Sequence, residues 1–271
     1  MSTRHTTTRM RVYPSPPTGL SLATVGLWAE NTWTEIFPAT DTLVFIAGVS
    51  FAMAPTGGQA VDLQFARGAA GEEEIVHTYR IEVIYNVNNA RQYILFPVPL
   101  GHFPIGVRIS CRIMGFSLYA NVMNVMYYEN LVSGHKSIGD AKPFPYNENS
   151  FSATWGLTAW QNSDWYEITS GEDSEFTLTD FQFVPKDNEH CAAEFDLAKG
   201  SVGTEHANIL TTKRFLFSGL TGFNHRVVFP GGFPIPPGTR VVFRIRRAVA
   251  VLTPKLLDIS FNAIRATVFL S

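Results

Sequence analysis

Apolar positions in this chain recur every second residue, in short runs. Ile109, Cys111 and Ile113 alternate with Arg108, Ser110 and Arg112, and Val241, Phe243 and Ile245 oppose Arg240, Val242, Arg244 and Arg246. Successive side chains of a strand point to opposite faces, so each run has one core face and one face that is wet or an interface. The same period predicts strands at Trp33–Phe37, Leu43–Ala52, Val61–Ala66, Ile75–Tyr85, Tyr93–Pro97, Val107–Met114 and Asn121–Tyr127. In the second half it predicts them at Trp165–Thr169, Glu175–Val184, Ala193–Ala198, Leu210–Phe217, Arg226–Phe229, Val241–Arg247 and Leu256–Phe269. Gly, Pro, Asn and Asp separate these runs, and no amphipathic run of helical length intervenes.

The two halves repeat each other. Pro104, Gly106, Arg108, Arg112 and Ile113 match Pro236, Gly238, Arg240, Arg244 and Ile245, every pair 132 residues apart. The same spacing relates Trp28 to Trp160, Trp33 to Trp165, Glu35 to Glu167 and Ile36 to Ile168. The turn ARGAAGEE from Ala66 likewise falls on AKGSVGTE from Ala198, and three separated matches in one register imply a duplicated domain. The expected fold is all-β: two tandem antiparallel β-sandwich domains, jelly-roll-like or of related Greek-key type, with a closed barrel as the alternative. An extended N-terminal arm occupies 1–22, the sandwiches 23–132 and 153–271, and a polar linker with two prolines 133–152.

With 271 residues, each half is large enough to bury a core without metal or disulfide. A 16% charged fraction beside 21 Phe favours strands over helices. The net charge of −2 speaks against a nucleic-acid partner, and no apolar run approaches a membrane span. The N-terminus lacks the apolar stretch of a secretory signal. Cys111 and Cys191 stand at non-equivalent places in the repeat and read as reduced thiols, Cys111 in the core.

Motifs for catalysis, cofactors and metals are missing: there is no GxSxG, HExxH, CxxC, Walker loop or strand-linked GxGxxG. No catalytic residue, cofactor or metal ligand is therefore assigned. Glu72, Glu73 and Glu74 read as a solvated turn rather than a cation site. His190 and Cys191, as strand neighbours, point to opposite faces and make a poor thiol–imidazole pair. Trp28 and Trp160 are candidates for stacking on sugar rings, or plug the sandwich ends or a subunit contact. Arg4, Arg9 and Arg11 in the arm, with Arg108, Arg112, Arg240 and Arg244, are candidates for gripping an acidic partner; the latter four alternatively pair with Glu35 and Glu167.

The Trp-rich opening, the glycine turn and the late PxGxRhxxRh strand (h apolar) stand as Trp33, Gly68, Gly71, Glu73, Gly106, Arg108 and Arg112. They return as Trp165, Gly200, Gly203, Glu205, Gly238, Arg240 and Arg244. This pattern resembles a β-sandwich module of structural proteins of tailed bacteriophages. The resemblance implies a non-enzymatic virion component, such as a capsid decoration, head-fibre, collar or tail-accessory protein, assembled in the host cytoplasm. It implies other virion proteins as partners and a homo-oligomer or symmetric array. The competing expectation is a carbohydrate-binding module that contacts host surface glycans.

Overall fold

The computed structural model describes residues 9–15, 18–53, 59–83, 92–115, 120–129, 140–146, 150–154, 158–185, 190–218, 225–249 and 256–265. Its first half holds β1 (Arg11–Tyr13), β2 (Leu20–Ala23), β3 (Thr34–Phe37), β4 (Val44–Met53), β5 (Gln59–Arg67), β6 (Glu74–Val83), β7 (Gln92–Phe103), β8 (Ile109–Gly115) and β9 (Ala120–Glu129). The second holds β10 (Ala141–Phe144), β11 (Phe151–Thr154), β12 (Tyr166–Thr169), β13 (Phe176–Pro185), β14 (His190–Lys199), β15 (Ile209–Ser218), β16 (His225–Ile235), β17 (Val241–Arg247) and β18 (Leu256–Arg265), with one 3-10 turn at Glu205–Asn208.

Each half is a sandwich of two antiparallel sheets. In the first, β1 and β2 lie end to end along β9 in a sheet continued by β4 and β7, facing a sheet ordered β3-β8-β5-β6. In the second, β10 and β11 lie along β18 beside β13 and β16, facing β12-β17-β14-β15. From β2 to β9 the chain changes sheet at every connection except β5 to β6, the double Greek key of a jelly roll, and β11 to β18 repeat the path. Even the irregularities recur: bulges interrupt pairing at Glu35/Phe37 and Glu167/Thr169, and again at Ile46/Gly48 and Leu178/Asp180. Gly68 and Gly200 sit at φ 123° and 119°, where a side chain is strained, and their N–H groups donate to the carbonyls of Arg108 and Arg240.

Two stretches expected as arm and linker run into the sheets. Within 1–22, residues 11–13 and 20–22 are strand, and within 133–152, residues 141–144 and 151–152 are strand. Leu20 and Leu22, like Ala141 and Phe144, bury their side chains and supply the outermost strand each sandwich needs. These strands have three or four residues and prolines between or within them, too little period to be read from sequence.

The expected core face is the observed one: Ile109, Cys111, Ile113, Val241, Phe243 and Ile245 are all buried. Burial pushes the Cys111 thiol far up, which leaves it an apolar filler. The two cores differ in content. Phe181, Phe195, Phe243 and Phe261 occupy the places of Val49, Leu63, Cys111 and Val125. The Phe181 and Phe195 rings stack at 4.3 Å, and Phe195 stacks on Phe243 at 5.7 Å. One topology thus accepts an aliphatic and an aromatic filling, provided each volume is filled.

Candidate docking surfaces

The repeated arginines are consumed inside their own modules. Arg108 donates through Nε to Glu35 (2.8 Å) and through a terminal nitrogen to Glu73 (2.9 Å), which also accepts from the Gly71 N–H (2.9 Å). Arg240 does the same with Glu167 (2.6 Å) and Glu205 (2.8 Å), and Glu205 accepts from the Gly203 N–H (2.7 Å). Each arginine therefore ties the first strand of its sheet to a distant glycine turn. The Arg108 guanidinium holds the Glu73 carboxyl below its ordinary range; a bond to its own backbone N–H and the Arg240 guanidinium do so for Glu205.

Arg112 and Arg244 lie over the rings of Trp33 (4.3 Å) and Trp165 (4.5 Å) and donate to Gln64 (2.7 Å) and Asp196 (2.8 Å). A guanidinium sandwiched between a ring and a hydrogen-bonding side chain is a brace. The face opposite the core in β8 is accordingly dry, with Ser110 and Arg112 buried. In the arm, Arg11 pairs with Glu129 (3.0 Å) at the surface and Arg9 is exposed, while Arg4 lies outside the described residues.

Trp28 and Trp160 adopt left-handed backbone, φ 51° and 59°, where their N–H groups donate to the carbonyls of Gly115 and Arg247. Arg80 lies over Trp28 at 4.5 Å and Arg214 over Trp160 at 5.1 Å. Trp160 is 41% exposed. Glu74, of the acidic turn, pairs with Arg67 (2.8 Å). Among the described residues no group of three or more metal-ligating side chains comes together. The side chains of His190 and Cys191 lie outside the described residues.

The most built surface is one the sequence did not single out, the junction between the modules. The edge strand β6 of the first sandwich lies against the outer face of the second sandwich's β10-β18-β13-β16 sheet. A sheet edge presents unpaired N–H and C=O groups, and here side-chain amides meet them. Asn262 accepts from the Arg80 N–H (2.9 Å), Gln182 accepts from the Glu82 N–H (3.1 Å), and both amides donate to the Arg80 carbonyl (3.2 and 2.7 Å). Tyr79, which burial holds well above its ordinary pKa, donates to Asp180 (2.5 Å), and Arg226 donates to both (2.5 and 2.9 Å). The Ala141 N–H donates to His77 Nδ1 (3.2 Å), so Nε2 carries the proton and donates to the Gly101 carbonyl (2.6 Å). Arg80 and Asp62, both 0% exposed, pair at 2.7 and 2.9 Å within the first module.

The equivalent sheet face of the first sandwich is chemically different. The rows Val12–Met126–Gly48–Leu95 and Asn124–Ser50–Tyr93 replace Pro143–Asn262–Asp180–Val228 and Ser260–Gln182–Arg226. Val12, Tyr93 and Leu95 are exposed there, as are Met10 and Val122 at its margins. Sequence comparison of the halves pointed to residues that match, whereas this surface lies in those that differ.

No known family's sequence profile matches the chain, and no curated protein does. Solved structures with a resembling outline include Broad Bean Stain Virus (11% identity, 91% of this chain and 88% of that chain, TM-score 0.38). Infectious bursal disease virus Gx strain aligns at 8% identity over 97% of this chain and 73% of that one (TM-score 0.27). The CBM22-1-CBM22-2 tandem of Paenibacillus barcinonensis Xyn10C aligns at 14% over 96% and 93% (TM-score 0.25). All three TM-scores lie below 0.5, and the functional reading rests on the geometry of this chain.

Proposed function

We propose that this chain is a non-enzymatic structural protein of a bacteriophage virion: a capsid decoration, head-fibre, collar or tail-accessory component, assembled in the host cytoplasm. It docks on a symmetric assembly through its N-terminal arm and the outer sheet face of its first module. The observation that carries the reading is that face, along which Val12, Tyr93 and Leu95 stand exposed, with Met10 and Val122 at its margins. Apolar clusters of this kind on a folded surface mark contact sites. Met10 and Val12, at the start of the outermost strand of the same sheet, border that face. Jelly rolls also serve as viral capsid and lectin domains, an analogy of fold that adds no residue to the case. Repetition by symmetry makes weak contacts of this size effective.

The test is deletion of residues 1–10, which spares β1 and β2; deletion to residue 22 would strip both from their sheet. The shortened protein is expected to fold and remain soluble but to fail to enter particles, and undiminished entry would refute the arm's role. The exposure of Trp160 favours a second reading, glycan stacking. Glycan-array binding that is lost in Trp160→Ala with folding intact would install it in place of the first.

A further inference from the structure

Glu82 is a carboxyl where the fold alone has no use for one. It lies on the β6 edge against the outer sheet face of the second module and is 2% exposed. The second module's equivalent strand carries Leu216 at that position, 80% exposed, and folds without a carboxyl there. Across the junction stands Asp258 of β18, whose first-module counterpart is Val122. Each acid thus occurs only in the copy whose surface enters the junction. We infer that Glu82 and Asp258 form a proton-operated latch between the modules: with a proton on Glu82 the modules stay joined, and its loss opens the contact while each module remains folded.

The groups around Glu82 give the proton its weight. The Ser150 hydroxyl donates to the carboxyl, and the Ser260 hydroxyl faces it. Arg80, on the same strand, is a cation that could balance an ionised Glu82, but Asp62 already holds it at 2.7 and 2.9 Å. Asp180 on β13 is in turn held by Tyr79, Arg226 and Asn262. Asp258 accepts from Ser152 (2.8 Å) and repels a second negative charge. Burial outweighs what Arg80 and the two hydroxyls offer and raises the Glu82 carboxyl above its ordinary range. An ionised Glu82 is a buried charge beside a like one, a cost that vanishes once the modules part and water reaches it.

Proton linkage sets the direction. The closed contact binds the Glu82 proton more tightly than the open one, so acid favours closure and rising pH favours opening. The ratio of open to closed climbs by up to about tenfold per pH unit from the ordinary carboxyl value, near 4.5, to the raised one, and then levels. The latch needs no particle and stands apart from the virion reading.

Amide hydrogen exchange of the full chain, followed by NMR from about pH 4 to about pH 8, tests it. The Arg80 and Glu82 N–H groups report the contact itself, since they donate across it to Asn262 (2.9 Å) and Gln182 (3.1 Å). The amides of β5, a strand paired on both sides within the first sandwich, report folding of the module. After correction for the intrinsic rise of exchange with pH, protection of Arg80 and Glu82 is expected to fall by up to about tenfold per pH unit while that of β5 holds. Glu82→Gln is expected to make their protection independent of pH. Asp258→Asn, which carries the test if Glu82→Gln does not fold, is expected to shrink the total fall. Flat protection in the wild type, a fall that persists in Glu82→Gln, an undiminished fall in Asp258→Asn, or a parallel fall in β5 would each overturn the inference.

Discussion

Asp62 with Arg80 in the first module and Glu194 with Arg214 in the second are the same cross-strand ion pair in two settings. The first is sealed, both side chains 0% exposed, with Trp28 over the Arg80 guanidinium and the Arg80 backbone bonded to the second module. The second lies at a free edge, with the Arg214 side chain 67% exposed. Glu194 also accepts from Arg246 (2.6 Å), so the second pair differs both in this extra partner and in what lies above it. Arg246 and water compensate the loss of Arg214, and water does not reach the buried Arg80 and Asp62.

Breaking that comparison at its strongest point means Arg80→Ala. It takes the guanidinium away from the buried Asp62 carboxylate and is expected to cost roughly 3–5 kcal/mol in urea unfolding. Phe181→Ala probes the other contrast, the aromatic core. Its ring meets those of Phe183, Phe195, Phe215, Phe229 and Phe261, and its loss is expected to cost roughly 3–5 kcal/mol, confined to the second module. Where the modules agree, the effects should agree: Arg108→Ala and Arg240→Ala are expected to lower the unfolding midpoint equally, by about 3 °C. Unequal shifts would show that the two braces are not equivalent.

Glu82 sharpens the junction by pH. Burial raises its carboxyl above the usual range, against the pull of Arg80 and the Ser150 hydroxyl. The folded chain therefore keeps a proton that the unfolded chain has released. Stability falls as pH rises from the unfolded value, near 4.5, through the raised folded one. Glu82→Gln is expected to flatten that fall, read as unfolding midpoint against pH. The smallest effect belongs to Arg214→Ala, under about 1 kcal/mol by urea unfolding; a loss matching that of Arg80→Ala would erase the distinction.

Much of this was legible in the residues. Period two named the core face of β8 and β17, the turns bounded most strands, and the register of 132 residues announced two copies of one module. The pairing of Arg108 with Glu35 was one of two open readings, because either outcome suits an arginine on the face away from the core. The strands β1, β2, β10 and β11 escaped notice, being too short and too rich in proline to show a period.

By itself the sequence determined what depends on local order: strand period, turn residues, and the duplication, which is a property of the string. Only the tertiary structure decided which copy covers the other, and with it that Glu82, Asp180 and Asn262 are buried while Leu216 and Tyr93 stand open. Alternation says that a side chain leaves one face of a strand; what waits on that side is set by contacts between residues a hundred or more positions apart.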